Sequence, residues 1–410
     1  MRLAFVDLVF TWPPAGGAPL DLYHTAKGLQ QLGHDVHLFF AHDTRNWGID
    51  TVAQDKLPFP STGLDFTPAT YTPANVPGAF REVVDAWRPD VVFICFGFFM
   101  KPFVIEALAH YPTVSRYYAY EPACPRDYRI FKNDNTCPNN YLTTPDACRK
   151  CMLDFFAMDI RRGAQVAYTR ELLATRAYAP SYYERCLRAL DTLDAAIVYN
   201  HIGKAHLEGF HDNVLVVPGG VNADEFPATP PPVRGGDDKA IILMTGRATD
   251  PSKGFGIVLD VGEALYKERQ DFQIWVTYPD GKHDSEWLKA IGWLDNAHIA
   301  PYYQQADICV VPSFWEEPFG IVAVEAMATG RPVCVSRVGG LQEIVVHGET
   351  GFIHDRFDRE ALKRHLAALL DSPDLRRRMG EAGRRRVVEH YDWRRVIETH
   401  YPPLLESLAP

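Results

Sequence analysis

Residues 307–337 read DICVVPSFWEEPFGIVAVEAMATGRPVCVSR. DICVVPS is short, apolar and rich in β-branched residues, which predicts a buried strand. FWEEP carries the polar residues and proline of a turn, the apolar spacing from Phe319 predicts a helix, and RPVCVSR predicts a second buried strand. Strand, turn, helix and strand in that order form the repeating unit of a parallel sheet. One residue resists this simple packing. Glu325 is the only charge between Glu317 and Arg331, in a stretch that is apolar on nearly every face. A buried carboxylate is costly unless it has donors, so Glu325 needs either a cation such as Arg331 or hydroxyls supplied by a ligand.

The same alternation extends in both directions. RLAFVDLVF, DVHLFFAH, DVVFICF, TVSRYYAY and AAIVYN read as strands in the first half, with helices at 21–31 and along 149–190. The Pro/Gly-rich stretch 227–238 interrupts the pattern, and AIILMTG, FQIWVTY, DICVVPS, RPVCVSR and GFIHD then restart it. The expected fold is α/β: two Rossmann-like, doubly wound parallel-sheet domains, with ligands beyond the carboxyl ends of the strands. The expected domains are residues 1–200 and 201–390, with a basic, helical end anchored by Tyr391 and Trp393.

A chain of 410 residues accommodates two such domains. At 47% hydrophobic and 23% charged it has the composition of a globular protein, and its formal net charge of -10 argues against nucleic acid as a partner. No run approaches a membrane span, and Asp7 interrupts the apolar N-terminus, so a first strand is expected there rather than a signal peptide. The expected location is the cytoplasm, with most of the eight cysteines as thiols.

Two loops carry candidate chemistry. In IILMTGRATDPSKGFG (241–256) a strand ends near Thr245, and Ser252 is the expected N-cap of the next helix. The loop projects Arg247 and Lys253, which suit a diphosphate or are simply solvated cations. The EEPFG turn at 316–320 leaves its strand at the same end of the sheet. A cationic loop and an acidic turn at carboxyl strand ends of one domain point together to a nucleotide diphosphate, with its ribose hydroxyls on Glu325. In the first half, Gly16 and Gly17 follow the first strand and precede a helix, where a phosphate could approach bare backbone. The spacing is not G-x-G-x-x-G, and there is no Walker A loop, so neither a nicotinamide nor a flavin dinucleotide is indicated.

Together, AGG near the N-terminus, GRATDPSKG, VPGGVNADEF, PSFWEEPFGIVAVEAMATGRPV and VGGLQEIVVHGETGF resemble family 4 of the retaining glycosyltransferases. The resemblance covers nearly all of the second half and, at strand level, the first. It implies the GT-B fold, two Rossmann-like domains facing a cleft, with residues 391–410 packing back on the first. The two glutamates spaced as in that family fall on Glu317 and Glu325. By resemblance Glu325 binds the donor ribose and Glu317 lies at the sugar ring, with the backbone amides of Phe319 and Gly320 nearby. Arg247 and Lys253 neutralise the leaving diphosphate, and Gly17 belongs to a loop that closes over it. The implied reaction moves a hexose-type sugar, with retention, to a glycan, a lipid-linked sugar or a small molecule. No D-x-D tripeptide occurs, so no catalytic metal is suggested. Where relatives carry a histidine near the sugar, this chain has Tyr118 and Tyr120, as sugar or acceptor contacts or as core aromatics. Two rivals stand beside transfer: an epimerase or hydrolase of nucleotide sugars on the same architecture, and a non-catalytic nucleotide-sugar sensor.

Cys124, Cys137, Cys148 and Cys151 fall within 28 residues. A C-x2-C pair with two further cysteines suits a structural zinc, with an iron–sulfur cluster as a second choice; unliganded thiols or disulfides are the alternative. RKCMLDFFAMDIRRG (149–163) mixes aromatics with basic ends, and either touches a membrane surface peripherally or packs on the first domain.

Overall fold

A computed structural model describes the chain except for residues 15, 44–51, 165, 231, 233–237, 295–297 and 410. Half of the linker expected at 227–238 therefore lies outside the described residues. The chain forms two compact units: Met1–Ile130 with Cys137–Pro218 and Ile397–Pro410, and Phe131–Thr136 with Gly219–Val396. The sequence had placed the change of domain at 200/201 and the returning end at 391. The units instead change over between Pro218 and Gly219 and again between Val396 and Ile397.

The first unit holds a seven-stranded parallel sheet. Its central strands Arg2–Asp7, Val91–Ile94, Thr113–Arg116 and Ala195–Val198 are buried almost throughout, as strands covered by helices on both faces must be. Numbered along the chain, its strands lie in the order 3-2-1-4-5-6-7. The run TVSRYYAY is strand only over Thr113–Arg116. The helical stretch expected along 149–190 is three helices, Pro145–Arg161, Ala167–Ala174 and Pro180–Asp191. The first break comes at Gly163 and Ala164, both with positive φ, and Pro180 opens the third helix.

The second unit's six-stranded parallel sheet has the order 3-2-1-4-5-6, built from Ala240–Met244, Phe272–Val276, Leu288–Ala290, Ile308–Val311, Val333–Ser336 and Gly351–His354. The order reverses between its first and fourth strands. A doubly wound sheet opens a crevice at that reversal, because neighbouring connections leave toward opposite faces. The loop 245–254 leaves the first of these strands and the turn 312–320 leaves the other. The small hairpin of Phe131–Lys132 and Asn135–Thr136 belongs to this unit as well. Among the described residues no helix is long and apolar enough to cross a membrane.

Candidate active site

The loop after Met244 is shaped by its own polar residues. Gly246 has φ 93° and Gly254 φ 83°, the left-handed region that glycine enters without steric cost. Asp250 accepts hydrogen bonds from the Ser252 amide at 3.0 Å and its hydroxyl at 2.7 Å, closing a single turn over Pro251–Lys253. Gly254, not Ser252, is the N-cap of the following helix, Phe255–Tyr266. Ser252 is drawn away because Asp250 holds its hydroxyl. A side chain at 254 would also strike the Pro312 carbonyl, 2.1 Å from the position of a Cβ, so the loop lies directly on the neighbouring strand end.

That contact brings Lys253 to the acidic turn. Its ammonium lies 2.7 Å from Glu317 Oε1 and 4.9 Å from the centre of the Trp315 ring. The same oxygen accepts from the Ser313 hydroxyl at 2.6 Å and the Trp315 indole at 3.0 Å. Glu317 is thus a buried carboxylate with three donors on one oxygen, and Lys253 is half-buried beside it. Arg247, in the same loop, is exposed.

Phe319 does not begin the helix. The helix is Ile321–Ala328, and Gly320 caps it with φ 111°. A Cβ at Gly320 would meet only the flexible end of Leu341 at 2.5 Å, so it is the backbone conformation that requires glycine. Glu325 lies in this helix and is 3% exposed. It does not take Arg331 as its partner: it accepts from the Tyr303 hydroxyl at 2.8 Å, and Tyr303 is bonded in turn to the Thr245 hydroxyl at 2.7 Å. The Arg331 guanidinium donates to the carbonyls of Tyr303, Gln304 and Thr229. Burial pushes the Glu325 carboxyl up to about 7, against the smaller opposite pull of the Tyr303 hydrogen bond.

Sequence reasoning missed the support of this turn. Glu316, also buried, accepts from the Gly339 amide at 2.6 Å and from Thr136 and Arg356. The Gly340 amide donates to the Glu317 carbonyl at 2.7 Å. A Cβ on Gly339 would fall 2.0 Å from that carbonyl oxygen, and Gly339 has φ 46°. The paired glycines after the strand Val333–Ser336 were the available signal, because backbone meeting backbone this closely tolerates no side chain. Gly339→Ala should therefore displace Glu317 and lower turnover by ~10-fold or more, since small misplacements of reacting groups are costly. Steady-state kinetics on folded protein checks this; an unchanged rate would detach Glu317 from catalysis.

The remaining expected positions lie in the first unit. Gly16 and Gly17 are exposed at the N-terminus of the helix Gly17–Gln31, with nothing within 4 Å of where a Cβ would stand. Tyr118 and Tyr120 are buried. Tyr118 packs edge-on to Phe96, and the Tyr120 hydroxyl accepts from Asn200 at 2.9 Å, so both occupy core positions. All eight cysteines are free. Among the described residues no group of three or more His, Cys, Asp or Glu side chains is placed to hold a metal. Cys124 Sγ lies 3.7 Å from an Asp127 oxygen and Cys148 Sγ 3.8 Å from the Thr144 hydroxyl. Burial raises both thiols, Cys148 to about 11, and the nearby Cys124, Cys137 and Cys151 add to the shift at Cys148.

Residues 284–386 match the family model of glycosyl transferases group 1. This group 1 segment contains Glu316, Glu317, Glu325, Gly339 and Gly340. A phosphatidyl-myo-inositol mannosyltransferase of Mycobacterium leprae is 28% identical over 63% of this chain and 71% of its own. A sucrose-phosphate synthase from Thermosynechococcus elongatus shares the fold across 99% of both chains, with a TM-score of 0.66 and 21% identity. HepE from Anabaena, solved in complex with UDP-glucose, has a TM-score of 0.67 and 15% identity over 99% of this chain and 100% of its own. At these identities the structural likeness shows the fold, which is GT-B.

Proposed function

We propose that this protein is a retaining glycosyltransferase that moves a hexose-type sugar from a nucleotide diphosphate to a carbohydrate, lipid-linked or small-molecule acceptor. The observation that carries the reading is the buried carboxyl of Glu325, linked through Tyr303 to Thr245 at the end of the first strand, in the helix that follows the turn of the Lys253–Glu317 pair. The group 1 match over the same residues supports it. In this reading the ribose hydroxyls donate to Glu325, which keeps Tyr303 as its third donor. Glu317 receives the sugar hydroxyls, with the Phe319 and Gly320 amides beside it. Lys253 and Arg247 take the diphosphate. Departure of the nucleotide places negative charge on its terminal phosphate oxygen, and these cations, Lys253 already held in place, stabilise that charge more than the ground state. Retention follows if the acceptor attacks from the face the phosphate leaves, and that phosphate takes the acceptor proton.

Incubation with a panel of nucleotide sugars, with and without acceptors, tests the reading. Nucleotide release that depends on acceptor supports transfer; an epimer or free sugar formed without acceptor overturns it.

A pH dependence follows from Glu325. The carboxylate, not the acid, accepts two hydroxyls, so binding favours the ionised form, whereas the free protein holds this group at about 7. Donor affinity should fall about tenfold for each pH unit below 7 and level off above it. Calorimetry at pH 6 should show about one proton released per donor bound, and a flat profile from pH 5.5 to 8 would remove Glu325 from the ribose.

A further inference from the structure

The first unit has a cavity of its own. It contains about 490 Å³ of empty space, part of it open to solvent. Its walls include Phe98, Phe99, Ile105, Tyr128, Tyr182 and Leu190. The rings sit at aromatic contact distances, with Phe99 edge-on to Tyr182 at 6.0 Å and Phe98 stacked on Tyr128 at 6.0 Å.

Two buried polar groups line this apolar space. Tyr141 is 2% exposed, and its hydroxyl has no hydrogen-bond partner among the described residues. Unsatisfied buried hydroxyls are rare, because each has given up water for nothing. Lys101 is 3% exposed; its ammonium donates to the Arg116 carbonyl at 2.7 Å and lies 4.1 Å from the centre of the Tyr117 ring. Burial lowers Lys101 to about 8, with Glu121, Cys95 and Asp7 opposing the shift and Arg116 adding to it. Glu121 is committed elsewhere, accepting from the amides of Tyr118 and Ala119. The lining therefore offers an aromatic enclosure, an unused hydroxyl donor and an ammonium whose charge Glu121 partly balances.

We propose that this cavity binds an aromatic small molecule bearing an anionic oxygen group, its ring among Phe98, Phe99 and Tyr182 and its oxygens on Tyr141 and Lys101. The site stands apart from the donor reading and does not depend on it.

The test is calorimetric titration of the full chain with 2-naphthoate and, as an uncharged counterpart, 2-naphthol. One site per chain is expected, with naphthoate several-fold tighter. Tyr141→Phe should weaken naphthoate about five- to tenfold while raising the melting temperature of the ligand-free protein, because it deletes a hydroxyl that has no partner. A tyrosine with a purely structural role would not give those opposite signs. Ile105→Trp, which fills the space, should abolish binding in protein that still melts cooperatively. Should that variant not fold, nuclear Overhauser contacts from naphthoate to the methyl groups of Ile105 and Leu190 in the unaltered chain decide. No binding by folded protein, affinity unchanged in Tyr141→Phe, or contacts elsewhere overturns the proposal.

Discussion

Replacing Glu325 by alanine should raise the Kd for a nucleotide-diphosphate sugar by about 100-fold or more. The carboxylate is expected to take two ribose hydroxyls, and hydrogen bonds to a charged group are worth about 1.5–3 kcal/mol each. The loss should appear as weaker binding of both donor and nucleotide product, since the ribose is the same before and after transfer. Stability should move differently. Glu325 ionises less readily in the fold than in the unfolded chain, because its carboxyl is raised to about 7 by burial. It therefore favours the native state fully only below its unfolded value of about 4.3, and this advantage fades as pH rises through 7. Glu325→Gln keeps the shape and the Tyr303 contact without ever needing to ionise. It should melt no lower than the parent at pH 8 while still binding donor poorly. A Kd within threefold of the parent in both variants would falsify the ribose assignment.

The second large effect is expected at Lys253. Lys253→Met should lower kcat by ~10²–10³-fold, the usual loss when a preorganised group facing developing charge is removed. Its ammonium is held by Glu317 Oε1 at 2.7 Å and over Trp315, so its position is fixed before any donor arrives. The lost pair should also cost stability, because it leaves a buried carboxylate without its cation even though Ser313 and Trp315 still donate to Glu317. Arg247→Met should have a smaller effect, since that side chain is exposed and must be ordered by the ligand it grips. Single-turnover rates separate this from binding. If Lys253→Met turns over at the parental rate, the leaving phosphate is not stabilised there.

Much of the architecture could be read from the sequence, because buried parallel strands are continuous apolar runs that composition alone reveals. AIILM, FQIWV, ICVV and VCVS all sit where the runs placed them. The strands of the two large sheets that were missed are Ser61–Phe66, Val214–Val216 and Leu288–Ala290, each at a sheet edge. They are short or only partly buried, so their sequences carry little of that signal. The oddity of Glu325 was visible; its partner was not. Tyr303 is 22 residues away in another helix, and only the folded sheet brings its hydroxyl to the carboxylate. Arg331 looked like a partner in sequence, yet its planar guanidinium satisfies carbonyls at the ends of neighbouring segments instead. Glu316 and Glu317 were indistinguishable as letters. The turn separates them, directing one to Lys253 and the other to Gly339 and Arg356.

The hairpin at 131–136 has a practical corollary. Those six residues are counted with a body whose remaining chain begins only at Gly219. Phe131 packs on Phe314 at 5.4 Å and under the Arg356 guanidinium at 5.2 Å, and the Thr136 hydroxyl donates to Glu316. Expressing the later half as an autonomous fragment would amputate that clasp, leaving Phe314 with Phe357 but without Phe131, and Glu316 one donor short. Gene fusions or truncations that cut at residue 219 should therefore yield a fragment whose 316–320 turn is poorly supported, even if its six-stranded sheet assembles intact.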